Sequence, residues 1–138
     1  MVIESTTRCT YTFLDNGIHH FTLHENTTKG IDDLVRLYEI VTLQHQADHP
    51  GEQVRVMMEF EQKGAPPVMY AEKLYKEMMA RHPKLPKERI AYVHQFGTMM
   101  SLITLVIPLF PNSNKVTRKF FPREQKETAI MWLLSDNT

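Results

Sequence analysis

Seven histidines are the densest source of chemistry in this 138-residue chain. Imidazole is the commonest metal ligand and the side chain that changes charge nearest neutral pH, so the spacing of these residues matters. His45 and His49 stand four apart, which lets two rings grip one ion from a helix face. His49 is followed by Pro50-Gly51, however, where a helix should already be ending. His20 and His24 share a strand face but lie ~13 Å apart by strand rise, too far for one metal. His19 and His20 point to opposite faces. No third ligand has a matching spacing, so no metal is expected and the rings are read as solvated or hydrogen-bonded.

His94 stands in a different kind of place. In an open α/β sheet, ligands bind outside the carboxyl ends of the parallel strands. Glu61-Gln62-Lys63 and His94-Gln95-Phe96 fall at such ends. The helices that follow would aim free N–H groups at the same edge, with Gly97 and Thr98 able to seat a carboxylate or phosphate. His94 occupies the position of a general base, yet no nucleophile or orienting carboxylate is identifiable beside it. Ser101 lacks a G-x-S-x-G elbow. The chain carries no G-x-G-x-x-G, P-loop or EF-hand loop, so no cofactor is expected. These residues favour a binding module over an enzyme; the alternative is a small hydrolase or isomerase using His94 as base.

Residues 99–107 are apolar nearly all round, with Thr98, Ser101 and Thr104 as the only polar strip. A helix of that kind must be buried, form a dimer interface or wall a pocket. Nine methionines, Met99 and Met100 among them, would give such a surface adaptability. The expected ligand-binding set is therefore Lys63, Tyr70, His94, Thr98 and Ser101 for polar contacts, with Leu102 and Leu105 as apolar wall. A small apolar or amphipathic ligand, a protein partner or a homodimer would satisfy it.

Alternating and helical patterns define the elements that hold these residues. Arg8 to Leu14 alternates with Cys9, Tyr11 and Phe13 on one side, and Ile18 to His24 alternates with His19, Phe21 and Leu23 on one side. Asp15-Asn16-Gly17 between them predicts a hairpin with a tight primed turn. A helix is predicted over 30–46, with Asp32 and Asp33 in its first turn. A strand follows over 53–60, then a helix with Ala71, Leu74, Tyr75, Met78 and Met79 as its buried stripe. Ile90-Ala91-Tyr92-Val93 reads as a central strand covered on both faces. A helix over 98–107, a strand over 116–121 and a last helix opened by Pro122 complete the chain. Arg118 and Lys119 mark that last strand as an edge, and Lys115, Arg118, Lys119 and Arg123 read as a solvated basic cluster. The order ββαβαβαβα predicts a single α/β domain over 1–138. Its sheet would be mixed, mostly parallel and five-stranded, with an N-terminal antiparallel hairpin and about four flanking helices.

Composition narrows the setting. Lys plus Arg and Asp plus Glu both number 16, so no basic excess points to nucleic acid, and near-zero net charge favours self-association. The single cysteine, Cys9, excludes an internal disulfide and fits a reducing, cytoplasmic compartment. Residues 1–8 carry no apolar stretch, so a signal peptide is not expected there. The longest apolar stretch, 99–110, is shorter than the roughly 20 residues a membrane helix needs.

Two stretches resemble a known family. Glu88-Arg89-Ile90-Ala91-Tyr92-Val93 is similar to the short central strand of the SpoIIAA-like branch of the STAS superfamily, whose shape overlaps with the lipid-binding CRAL-TRIO fold. Lys119-Phe120-Phe121-Pro122, followed by Glu127-Thr128-Ala129-Ile130-Met131-Trp132-Leu133-Leu134, looks like that family's closing strand and A-x-x-W-L helix. The resemblance implies a STAS-like fold and a regulatory or binding role. Sigma-factor regulators of the superfamily carry a phosphorylatable hydroxyl in the loop after a central strand. The corresponding loop here, Glu61-Gln62-Lys63-Gly64-Ala65-Pro66-Pro67, has none, so no kinase-controlled switch of that type is expected.

Overall fold

Strand order in the sheet follows chain order. The computed structural model describes residues 5–96 and 106–135. Its strands are β1 (Cys9–Phe13), β2 (His19–Leu23), β3 (Val54–Phe60), β4 (Glu88–His94) and β5 (Val116–Pro122), arranged 1-2-3-4-5. β1 and β2 are antiparallel; every later neighbour is parallel. The described helices are α1 (Thr28–Asp48), α2 (Val68–Arg81) and α3 (Lys126–Leu134). The predicted mixed, mostly parallel five-stranded sheet thus stands, while three helices rather than the predicted four are seen among the described residues. The apolar helix predicted over 98–107 lies outside them up to Leu105; Ile107–Leu109 form a 3-10 turn.

Successive parallel crossovers step one strand at a time in one direction. A constant crossover hand therefore puts α1 and α2 on the same face. Val54, Val56, Met58 and Phe60 of β3 point into that face with Ile90 and Tyr92 of β4, making the larger core with Leu34, Leu37, Tyr38 and Met78. Helix α3 covers the opposite face, burying Ala129 and Leu133 against Met57, Ala91, Val93 and Phe121. All of β4 is buried, as the continuous apolar run at its centre predicts.

Local details correct four expectations. The hairpin turn is not a primed pair: Gly17 alone has positive φ, and Asn16 does not. Gly17 N donates to Leu14 O at 3.0 Å and Leu14 N to Ile18 O at 2.9 Å, a wider turn that ends on a left-handed glycine. Helix α1 starts two residues earlier than predicted, capped by Thr27, whose Oγ1 accepts from Gly30 N at 3.1 Å. That shift takes Asp32 and Asp33 out of the first turn. Asp33 instead accepts from Thr6 Oγ1 at 2.8 Å and Arg8 Nε at 2.9 Å, tying the segment before β1 to α1. Pro122 closes β5 rather than opening a helix, and a 3-10 turn at Arg123–Gln125 precedes α3. Finally, β5 is an edge strand, but Arg118 is only 9% exposed rather than solvated, because β4 register aims it into the core.

Gly30 is required by close approach. A Cβ there would stand 2.1 Å from the Glu25 carbonyl oxygen, and that clash is with backbone that cannot swing away.

Candidate functional site

Large rings on three elements cannot close completely over the sheet. They leave an apolar cavity of about 60 Å³ between α1, α2 and strands β3 to β5. Helix α1 contributes Ile31, Leu34 and Val35, and α2 contributes Val68, Ala71 and Tyr75. Met58, Phe60, Tyr92 and Phe120 form the floor, with Phe96, Val106 and Phe110 at the side. Tyr92 stacks on Phe120 with centroids 4.7 Å apart, and Phe60 tilts on Phe96 at 5.2 Å. Such pairs hold ring geometry fixed and keep the space from collapsing.

A polar cluster lies behind one end of this wall. Glu88, 1% exposed, begins β4, and its carboxylate accepts from the Tyr38 hydroxyl at 2.6 Å. Burial raises its carboxyl from 4.5 to about 7, against the opposing pull of the Tyr38 hydrogen bond and Arg118. Arg118 donates to Tyr92 Oη at 3.3 Å and to the Pro111 carbonyl at 2.5 Å. Its guanidinium lies 4.9 Å from the centre of the Tyr75 ring and 5.9 Å from that of Phe110. The Tyr75 hydroxyl is buried beside Tyr38, ring centroids 6.2 Å apart, and completes no hydrogen bond. A donor and acceptor left unpaired there costs about 1–3 kcal/mol.

His94 lies at the other end, on the same face as Glu88 and Tyr92. It is 7% exposed and stacks on Phe96 at 4.6 Å. Its Nδ1 accepts from Phe96 N at 3.2 Å, and its Nε2 is buried without a partner. Burial lowers its pKa, so the ring is neutral near neutral pH. With Nδ1 accepting, the proton sits on Nε2. That nitrogen offers a donor and not a lone pair, so the ring is set to hold an acceptor rather than to pull off a proton.

The other expected ligand residues are placed as follows. Lys63 is exposed in the loop before α2. The Tyr70 hydroxyl donates to Asp32 of α1 and joins the two helices. Neither lines the cavity, nor does His94. Thr98, Ser101, Leu102 and Leu105 lie outside the described residues. What the sequence did not single out is the Tyr38–Glu88–Arg118 cluster. The one available signal was a carboxylate two residues before the apolar run Ile90-Ala91-Tyr92-Val93.

The remaining histidines are engaged within the protein. His20 Nε2 meets Glu59 Oε1 at 2.9 Å, and Lys126 Nζ meets the same oxygen at 3.0 Å. These contacts, the His20 hydrogen bond foremost, hold the Glu59 carboxyl down to about 2. His24 bonds Glu61 at 2.6 Å and Thr10 at 3.0 Å, while His82 bonds Glu39 at 2.7 Å. His19 bridges Tyr11 Oη at 2.8 Å and His45 Nδ1 at 3.0 Å. Its pKa falls to about 4 through burial and the neighbouring His45 and His49. Among the described residues no three His, Cys, Asp or Glu side chains gather as a metal would need. Cys9 is buried, and burial raises its thiol to about 12, which leaves it unreactive. Among the described residues no helix is long and apolar enough to cross a membrane.

No protein-family model, curated protein or solved structure matches the chain.

Proposed function

We propose that the chain is a non-enzymatic, STAS-like binding module of the cytoplasm. It takes the apolar end of a small amphipathic molecule between α1, α2 and the sheet. The apolar cavity carries this reading; His94 stacks on Phe96 of its wall without lining it. Its wall is formed by aliphatic and aromatic side chains, and an apolar void of this kind stays dry until an apolar group fills it. At about 60 Å³ it is smaller than the roughly 150 Å³ that accommodates benzene, so the group is short or is the tip of a longer chain. Behind Phe96, the His94 Nε2–H has no partner among the described residues, and a polar end reaching past that ring would find a donor there. Element order, with the sheet in strict sequence order, supports the STAS-like reading.

Short-chain primary alcohols are suitable probes, followed through the methyl resonances of Met58 and Val106. The expected result is saturable shifts at those methyls in the wild type, lost in Ala71→Leu, whose larger side chain fills the space. Unmoved wild-type methyls would remove the reading.

A further inference from the structure

The face of the sheet opposite the cavity carries a separate cleft, and the charged side chains on that face of it are basic. It encloses about 280 Å³ at the amino ends of β3, β4 and β5, lined by Gln53, Lys87, Arg89, Asn114, Lys115 and Trp132. Glu88 also borders it, but that carboxylate is turned through the sheet onto Tyr38. Arg89 is 3% exposed. Its Nη1 is taken by the carbonyls of Trp132 at 2.8 Å and Ser135 at 2.9 Å and by Ser135 Oγ at 2.8 Å. Among the described residues its Nε and Nη2 complete no hydrogen bond. Half-buried Arg55 is its register partner on β3, beside the cleft rather than lining it, and among the described residues the Arg55 Nε has no partner. Lys119 lies beside them, its Nζ 6.0 Å from the centre of the Trp132 ring. Among the described residues no carboxylate comes within ion-pair distance of Arg55, Lys87, Arg89, Lys115 or Lys119.

A buried guanidinium such as Arg89, with no carboxylate beside it among the described residues, is costly, and the neighbouring Arg55 adds repulsion. An oxyanion that accepts several charge-assisted hydrogen bonds removes both penalties. We infer that this cleft binds a phosphate group, either as free phosphate or as the monoester of a small molecule. Arg89 supplies the fixed donor inside the cleft, and exposed Lys87 and Lys115 stand at its mouth, Lys115 Nζ resting on the Pro83 carbonyl at 2.7 Å. A dianion matches several cations better than a monocarboxylate does. Trp132 gives an apolar wall for an organic substituent. The site is independent of the cavity and of the function proposed for it.

Trp132 is the only tryptophan in the chain, so its fluorescence reports the cleft alone. The protein is titrated with inorganic phosphate, with phenyl phosphate and with phenol as the uncharged control. Saturable change with both phosphates, weakened by added salt and absent with phenol, is the expected result. Tighter binding of phenyl phosphate identifies a monoester as the ligand; equal binding identifies free phosphate. Lys87→Glu and Lys115→Glu are exposed substitutions that leave the fold intact, and together they raise the Kd at least about tenfold. No saturable change in the wild type overturns the inference. So does an affinity that stays the same in the Lys87→Glu, Lys115→Glu protein while its thermal midpoint matches the wild type.

Discussion

Tyr38 on α1 and Glu88 at the start of β4 are 50 residues apart, and the tyrosine hydroxyl donates to the Glu88 carboxylate in the interior of the domain. The pair fixes α1 across the sheet and keeps an acid where water cannot reach it. Its protonation state is therefore written into the stability of the fold.

Burial favours the neutral Glu88 carboxyl. Between 4.5 and about 7 the folded chain keeps a proton that the unfolded chain releases. The folded state binds more protons in that window, so this group's contribution falls as pH rises and is lost above about 7. Glu88→Gln keeps an acceptor for Tyr38 and cannot ionise. It is expected to exceed the wild type by about 2 kcal/mol at about pH 8 and to equal it at about pH 5, measured by urea denaturation.

His19 acts with the opposite sign. From 6.5 down to about 4 the unfolded chain takes up a proton that the folded chain refuses, so stability falls as pH drops through that window. Each effect amounts to about 3 kcal/mol at full extent, and over the shared range they offset. His45 and His94, also held below their usual pKa by burial, add to the His19 side, so wild-type stability is expected to change less over that range than either effect alone implies. Glu88→Gln should unmask a rise with pH over the same range. The direct check is the His19 imidazole C2–H resonance, which should stay unshifted until the pH is well below 6.

Tyr75→Phe removes a buried hydroxyl that has no partner while leaving the ring that packs on Arg118 and Phe110. It is expected to stabilise the protein by about 1 kcal/mol, read as a raised thermal midpoint. A lowered midpoint would mean that the hydroxyl is satisfied in solution.

Gly30→Ala tests the close approach at the start of α1. The added carbon meets the Glu25 carbonyl, and the helix must move to relieve it. A loss of about 2–3 kcal/mol is expected in denaturant titration. An equivalent substitution at Gly17, where no atom lies within 4 Å of the added carbon, should cost only the strain of positive φ.

The strands and their succession along the chain were legible because alternation and a continuous apolar run report which faces are covered. Helix α2 was legible for the same reason: Met78 is buried and Lys76 meets Glu72 at 3.4 Å, as its spacing implies. Arg118 was misread because a cation within an edge strand ordinarily faces water. Its inward aim follows from β4–β5 register, which no local window contains. The hairpin turn was misread because Asn-Gly fits both a primed pair and a wider turn ending on glycine, and flanking strand length decides between them. The cavity and the cleft each arise where side chains from several elements fail to fill or neutralise a shared space. Lys63 and Tyr70 are near the carboxyl edge as expected, but only tertiary contacts tell that one is in water and the other is held by Asp32.

Because each strand lies beside the one made just before it, every new segment finds its pairing template already in place. Assembly can advance one β–α unit at a time from the amino end, each addition closing a short loop rather than threading between finished strands. Helix α3 alone must wait, since the strands beneath it include the last one. A chain cut before Lys126 would therefore keep a paired sheet with one greasy side bare, and would clump before it unravelled.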